Sequence, residues 1–337
     1  MMGKGNGGLE RAGFDCHEAL ELSGCQVVSV IHSSSKLVDL YRRAGSTLTL
    51  KSLGAWDVFA AYRLKRKLRN NKFDVVIVHG NRAVFLAERL GHGAPIIAVC
   101  HTTNYNILKC LNSINGAIAL TDHYYQVLVN AGYPPERIRV VPNLIRLLDE
   151  PDDPPPRDVP IIGSLGRLVP NKGFDVLLSA CTKLKERGTA FQCIVHGLDN
   201  KGSVTPYESM RDHLGLNQNE FSFAGWTSEP HQFLREIDIF CMPSRREVQS
   251  IALLESLAAG RPIVCSNIPG FESIFKHGVE GYFVNIDDDE QLARILNVLL
   301  RDRALRLKMG RAARRRAYDF DINVVSRHMK IAVRELC

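Results

Sequence analysis

The sequence predicts an α/β protein of two doubly wound, parallel-sheet domains facing each other across a cleft. Three observations lead there. The chain has 337 residues, about twice the ~150 of an average domain. Short β-branched runs alternate with stretches of helical periodicity, the pattern of βαβ units. The alternation stops at a proline-rich segment near the middle and then restarts.

In the first half, strands are predicted at residues 26–31, 74–79, 95–101, 116–121 and 138–142, and helices at 9–22, 56–68, 82–90 and 124–131. Residues 149–160, DEPDDPPPRDVP, carry five prolines in twelve positions, which neither a helix nor a central strand tolerates. Beyond them strands are predicted at 161–165, 191–196, 221–224, 239–242 and 263–266. The domain limits follow: a first domain over 1–149, a stiff linker over 150–160, a second domain over 161–318. A C-terminal helix over 319–337 is expected to cross back to the first domain. In such folds ligands bind outside the C-terminal ends of the strands.

Hydrophobic residues make up 45% and charged residues 23%, which excludes disordered and low-complexity classes. No apolar run reaches the ~18 residues of a membrane span, and the N-terminus has no signal-peptide core, so a cytoplasmic location is expected. The nine cysteines form no Cys-x-x-Cys pair and read as free thiols. The net charge of +7 is uneven: +6 over residues 1–150, −6 over 151–300 and +7 over the last 37. Phosphates or an anionic membrane face suit such a balance. Nucleic acid is not expected, because no nucleic-acid-reading motif accompanies the charge. The helix at 56–68 has an apolar stripe at Trp56, Ala60, Leu64 and Leu68 among basic residues, the pattern of a core helix with a solvated face or of a membrane-surface helix. The basic run 311–316 has the same two readings.

Gly3-Lys-Gly-Asn-Gly-Gly8 matches G-x-G-x-x-G, but no strand precedes it and no acid follows the next strand, so a nicotinamide cofactor is not expected. Residues 163–173, GSLGRLVPNKG, follow an apolar strand and open a helix. Arg167, Lys172 and free amides there suit a phosphate; a solvated turn with chance charges suits the pattern as well. Residues 247–260, EVQSIALLESLAAG, read as a buried apolar helix with Glu255 in its middle and Glu247 ahead of it. Glu255 has only Ile251, Ala252, Ala258 and Ala259 as helical neighbours, so its carboxylate needs donors from elsewhere: ligand hydroxyls, or a neighbouring loop. Asp287–Asp289 precede a helix and read as its cap rather than as a metal site.

These segments together resemble retaining family 4 glycosyltransferases of the GT-B fold. The resemblance rests on residues 166–173, Phe223-Ala-Gly-Trp226, residues 238–244, the Glu247-x7-Glu255 pair followed by AAGRP, and Gly281-Tyr-Phe-Val284. In the first half it rests on Gly7-Gly8-Leu-Glu10-Arg, Val99-Cys-His101 and Val140-Val-Pro-Asn143. It implies transfer of a sugar from a nucleotide-diphospho-sugar, with retention at the anomeric carbon, to a glycan, lipid-linked or polysaccharide acceptor in bacterial cell-surface glycan synthesis. It further implies a hexosyltransferase without metal or other cofactor. The basic first half and the Trp56–Leu68 stripe motivate a peripheral place at the inner membrane face. Arg167 and Lys172 would clamp the diphosphate, Glu255 would hold ribose hydroxyls, and Glu247 a hydroxyl of the donor sugar. Amides at Ser250 and Ile251 would cap the distal phosphate, Trp226 and Thr227 would line the base, and His101, with Gly7 and Gly8, would reach the donor sugar. Gln249-Ser250 and residues 196–199, HGLD, depart from the family pattern and leave donor base and sugar open. The alternatives are a GT-B sugar-nucleotide epimerase and a non-catalytic nucleotide-sugar-binding protein.

The start of the chain carries one more expectation. In such folds a central first strand precedes the glycine-rich loop, and it normally reads as five or six apolar residues. Met1-Met2-Gly3-Lys4 is too short and too polar. These 337 residues are therefore expected to lack a natural N-terminal strand, through truncation or a misplaced start codon.

Overall fold

The computed structural model describes residues 8–52, 57–91, 93–101, 112–147, 153–199 and 201–337. The expectations for Gly7, for Trp56, for a strand over residues 1–5 and for linker residues 150–152 lie outside the described residues. The chain divides into two compact units, Met1–Arg146 with Phe320–Cys337, and Leu147–Asp319.

The first unit runs α1 (Gly8–Leu22), β1 (Val28–His32), α2 (Val38–Ala44), β2 (Ser46–Leu50), α3 (Val58–Leu68), β3 (Val76–His79), α4 (Asn81–Leu90), β4 (Ile96–Cys100), β5 (Gly116–Ala119), α5 (Asp122–Asn130) and β6 (Ile138–Val140). All pairings are parallel, but they form two separate ladders: β1 with β2, and β3-β4-β5-β6. β4 and β5 are buried along their whole length or nearly so, as parallel strands covered on both faces must be. The sequence reading missed α2 and β2, which are short and, in β2, rich in Ser and Thr. In α3, Asp57 accepts a capping bond from the Ala60 amide at 2.8 Å. Ala60, Leu64 and Leu68 turn inward onto Leu86 and Leu90 of α4. The stripe read in this helix is therefore its core face.

The second unit runs β7 (Ile161–Leu165), α6 (Phe174–Glu186), β8 (Gln192–His196), α7 (Thr205–His213), β9 (Phe221–Gly225), α8 (Pro230–Glu236), β10 (Ile239–Met242), α9 (Ile251–Ala258), β11 (Ile263–Ser266), α10 (Pro269–Glu272), β12 (Gly281–Val284), α11 (Asp289–Arg301) and α12 (Arg303–Ala317). Its six parallel strands lie in the order β12-β11-β10-β7-β8-β9. The chain starts in the middle at β7, builds outward through β8 and β9, then returns to β10 on the other side. The switch point thus falls between β7 and β10. The core packs α6 and α11 against these strands through Leu177, Cys181, Leu184, Leu292 and Leu296. Asp288 caps α11, accepting from the Gln291 amide, as the sequence suggested.

Arginines close several helix C-termini, where exposed carbonyls and the dipole favour a cation. Arg261 donates to the Leu234 and Arg235 carbonyls in the last turn of α8. Arg306 donates to those of Leu299 and Leu300 in α11, and Arg314 to that of Ala258 in α9. Arg316 reaches the Ser273 and Ile274 carbonyls. Positions 314 and 316 of the basic run are thus structural, turned into the unit. The chain ends in α13 (Ile322–Leu336), which belongs to the first unit and packs on α1. Among the described residues no helix is long and apolar enough to cross a membrane, and the described cysteines are free.

Candidate active site

The loops after β7 and β10 flank the switch point, where open parallel sheets hold their ligands. The loop after β7 carries Arg167 and a single 3-10 turn, Pro170–Lys172. It must pass close to the loop after β10, and glycine permits this. Gly173 has φ +67°, and a Cβ there would lie 1.9 Å from the Pro243 carbonyl oxygen. Gly270 does the same on the other side, where a Cβ would lie 2.2 Å from the Val248 oxygen.

Close approach brings two of the expected residues into one pair. The Lys172 ammonium donates to Glu247 Oε1, and both side chains are largely buried. The cation read near a helix N-terminus has its counter-charge there. The Lys172 stem runs 3.5 Å from the Cβ position of Gly166, the residue before Arg167 in the same loop. Arg167 is exposed, and its guanidinium has no hydrogen-bond or ion-pair partner among the described residues. Three residues after Glu247, Ser250 caps α9 with an extended backbone, but its side chain makes no capping bond. The first-turn amides of α9, from Ile251 on, remain open to an anion.

Glu255 sits one turn along α9, its side chain largely buried, with His231 Nε2 of α8 4.0 Å from its Oε1. Trp226 and Thr227 lie in the loop from β9 to α8, which leads to His231. Trp226 is 54% exposed, and Thr227 Oγ1 accepts from the Glu229 amide at 3.0 Å. His101 belongs to the first unit. It follows β4, and its Nε2 hydrogen-bonds Nδ1 of buried His79 at 2.9 Å. Burial lowers the His101 pKa to about 4. It lowers that of His79 well below the ordinary value too, with His101 repelling a second charge. Both rings are neutral near pH 7, one donating and the other accepting. Gly8 is the first residue of α1.

Sequence reading missed Arg245. It grips both oxygens of Asp175 at 2.9 and 2.6 Å, donates through Nε to Asp287 at 2.6 Å, and reaches the Pro170 carbonyl at 2.5 Å. Its amide donates to the Asn171 carbonyl at 2.8 Å. The bonds to Asp175 above all hold its guanidinium more firmly charged than usual. Arg245 thus staples the loop bearing Lys172 to the loop bearing Glu247. The sequence signal was slight: one arginine of an Arg-Arg pair two residues before a glutamate. His231 and His79 were missed as well. Among the described residues no group of three or more His, Cys, Asp or Glu side chains could hold a metal ion.

Two Rossmann-like domains with parallel sheets define the class: the GT-B glycosyltransferases. The structure matches that of Anabaena HepE, solved in complex with UDP and glucose, with a TM-score of 0.83 over 97% of this chain and 96% of that chain at 16% identity. It matches sucrose-phosphate synthase from Thermosynechococcus elongatus with a TM-score of 0.85 over 98% and 94% at 16% identity. Within that class the chain belongs to the family 4 glycosyltransferases: the model for glycosyl transferases group 1 matches residues 148–316 and that for Glycosyltransferase Family 4 matches residues 6–147. Phosphatidyl-myo-inositol mannosyltransferase of Mycolicibacterium smegmatis is 27% identical over 287 residues, 78% of this chain and 72% of that protein. The lipopolysaccharide core biosynthesis glycosyltransferase LpsE of Rhizobium meliloti is 30% identical over 155 residues, 46% of this chain and 44% of LpsE. That match thus spans less than half the length of LpsE.

Proposed function

We propose that the protein transfers a sugar from a nucleotide-diphospho-sugar to a hydroxyl of a glycan or lipid-linked acceptor, with retention and without a metal, in bacterial cell-surface glycan synthesis. The observation that carries this is the largely buried Lys172–Glu247 pair, three residues ahead of the N-terminus of α9 and in one loop with Arg167, whose guanidinium has no partner among the described residues. Cleavage of the bond between the anomeric carbon and the phosphate oxygen leaves negative charge on the diphosphate. Fixed cations and amides aimed there stabilise the transition state more than the ground state. Lys172 exchanges Glu247 for the diphosphate, and Glu247 is then free to accept from a donor-sugar hydroxyl. Glu255, with His231 beside it, takes the ribose hydroxyls, and Trp226 and Thr227 line the base. The acceptor oxygen attacks on the face the phosphate leaves. Its proton passes to the departing phosphate oxygen, so no enzyme nucleophile enters the balance.

A membrane-side acceptor has its support in α3. Phe59 and Tyr62 are 78% and 67% exposed and lie three residues apart on one face, among Arg63, Lys65, Arg66 and Lys67. Exposed aromatics within basic residues suit an anionic lipid surface, so we place the protein in the cytoplasm at the inner membrane face.

A thermal-shift screen over UDP-, GDP- and ADP-sugars, followed by NMR of the product's anomeric configuration, tests the reading. It expects a shift with one donor class, an axial-to-axial or equatorial-to-equatorial outcome, and full activity in excess chelator. Inversion, epimerised donor without acceptor, or activity restored only by a divalent ion would overturn it.

A further inference from the structure

Resting on the nucleotide-sugar reading above, we propose that His196 determines the donor base, accepting a hydrogen bond from the ring N–H of a uracil or guanine. His196 ends β8, in the segment HGLD that departs from the family pattern. It is wedged between the loop of Arg167 and the loop of Trp226. Its carbonyl accepts from the Gly166 amide at 3.0 Å, one residue before Arg167. Across the ladder it pairs with Gly225, one residue before Trp226. Its ring meets the Phe233 ring of α8 edge to face, with centroids 4.5 Å apart. Gly197 lets the turn close, for a Cβ there would lie 1.8 Å from the Gly166 carbonyl oxygen.

The hydrogen bonds fix which nitrogen can read a ligand. Nδ1 lies 3.1 Å from the Gly225 carbonyl oxygen, and a carbonyl only accepts, so Nδ1 carries the proton. Partial burial lowers the pKa of the ring, although the Gly225 bond and the Glu236 charge oppose the shift, so the imidazole is neutral near pH 7. Nε2 is then an acceptor. It has no partner among the described residues and is not one of their buried unpartnered atoms, so it reaches solvent. The Gly197 amide donates to the same Gly225 oxygen at 2.8 Å, which holds the turn in place.

A fixed acceptor selects its ligand group. Diphosphate oxygens only accept, and they suit Arg167 rather than a neutral Nε2. Ribose hydroxyls fall to Glu255. The base edge supplies the remaining donors, and exposed Trp226, next in the chain after Gly225, offers a face on which a base stacks. Uracil N3–H and guanine N1–H adjoin carbonyls, which makes them more acidic and stronger donors than the amino group of adenine. Asp199, the acid of the HGLD segment, is engaged by its own loop: Oδ1 accepts from the Lys201 and Ser203 amides at 2.8 and 2.7 Å. Within that segment the base edge is left to His196.

Isothermal titration of UDP, GDP, ADP, N3-methyl-UDP and N1-methyl-GDP into the parent, His196→Asn and His196→Gln tests the assignment. The Asn amide nitrogen overlays Nδ1, so that variant keeps the bond to Gly225 and loses the acceptor. The Gln amide overlays Nε2, so that variant keeps an acceptor and loses the bond. Water replaces part of a lost bond at a half-buried ring, so the parent should favour UDP or GDP over ADP, and over its own methylated form, by ~10-fold or more. His196→Asn should lose about as much and treat methylated and unmethylated diphosphate alike, whereas His196→Gln should retain most of the parent's affinity. Parent affinity in His196→Asn, with the loss in His196→Gln instead, would make the ring a structural clamp and overturn the proposal. Preference for ADP, or equal binding of the methylated diphosphate by the parent, overturns it as well and requires no variant to fold. A parent that binds no diphosphate overturns the donor reading itself. A diphosphate that depends on Arg167 and Lys172 but not on His196 leaves that reading standing and overturns only the role of His196.

Discussion

Replacing Arg245 with Lys separates the positioning of the site from its charge. The substitution keeps the cation and the backbone bond to Asn171 but removes the fork that engages Asp175, Asp287 and the Pro170 carbonyl together. A lysine ammonium has no planar fork to replace it. The side chains are 28%, 35% and 54% exposed at Arg245, Asp175 and Asp287. Each lost contact is thus worth nearer the ~0.2–1 kcal/mol of exposed pairs than the ~1.5–3 kcal/mol of charged bonds in the interior. Two or three lost contacts amount to ~1–2 kcal/mol. Turnover should suffer more, because a misplacement of ~1 Å at a site can cost ~100-fold, and Arg245 sets the distance between the loops of Lys172 and Glu247. We expect urea unfolding to show the modest loss, and kcat, measured where the variant is fully folded, to fall ~10–100-fold. A kcat within twofold of the parent, with the stability loss present, would refute the role given to Arg245.

Other outcomes follow from the same geometry. Glu255→Gln should raise KM for the donor ~10-fold or more without changing the circular dichroism; an unchanged KM would remove Glu255 from the donor site. His101 titrates at about 4 in the folded protein against ~6.5 unfolded, so the unfolded state binds more protons between these values and His101 costs stability as pH falls from ~6.5 to 4, by ~3 kcal/mol in all. Asp15, raised to about 7 by burial, acts in the opposite sense over that range. The test is therefore the difference between parent and His101→Asn, whose stability should decline less on acidification; parallel profiles would contradict it. Phe59→Ser with Tyr62→Ser should abolish co-sedimentation with anionic vesicles at low salt, and vesicle binding equal to the parent's would detach α3 from the membrane reading.

Much of this was legible in the sequence where burial is uniform. β7, β10 and β11 fall where apolar runs between turns put them, because a strand covered on both faces must be apolar throughout. β2 was not legible: Ser46, Thr47 and Thr49 carry no clear burial signal, and pairing with β1 decides its state. At the site, Lys172 and Glu255 stood out because their charge conflicts with the helix-terminal or apolar setting of the local sequence, and Arg167 and Glu247 stand in the same two segments. Arg245 and His79 carry no such conflict. Their partners lie 70 and 22 residues away in sequence, and only the fold brings them together. The stripe of α3 was legible as amphipathic, but periodicity alone does not say which side meets the core; the exposed pair is Phe59 and Tyr62.

The central claim is that the loops flanking the β7–β10 switch point hold a diphosphate. Isothermal titration of UDP, GDP and ADP into the parent and into Arg167→Ala/Lys172→Ala tests it most directly, with the matching nucleosides as controls. The account predicts that at least one nucleoside diphosphate binds the parent and loses at least 100-fold in affinity in the double variant, while the nucleoside binds both alike. A diphosphate that binds the folded double variant as tightly as the parent would contradict it.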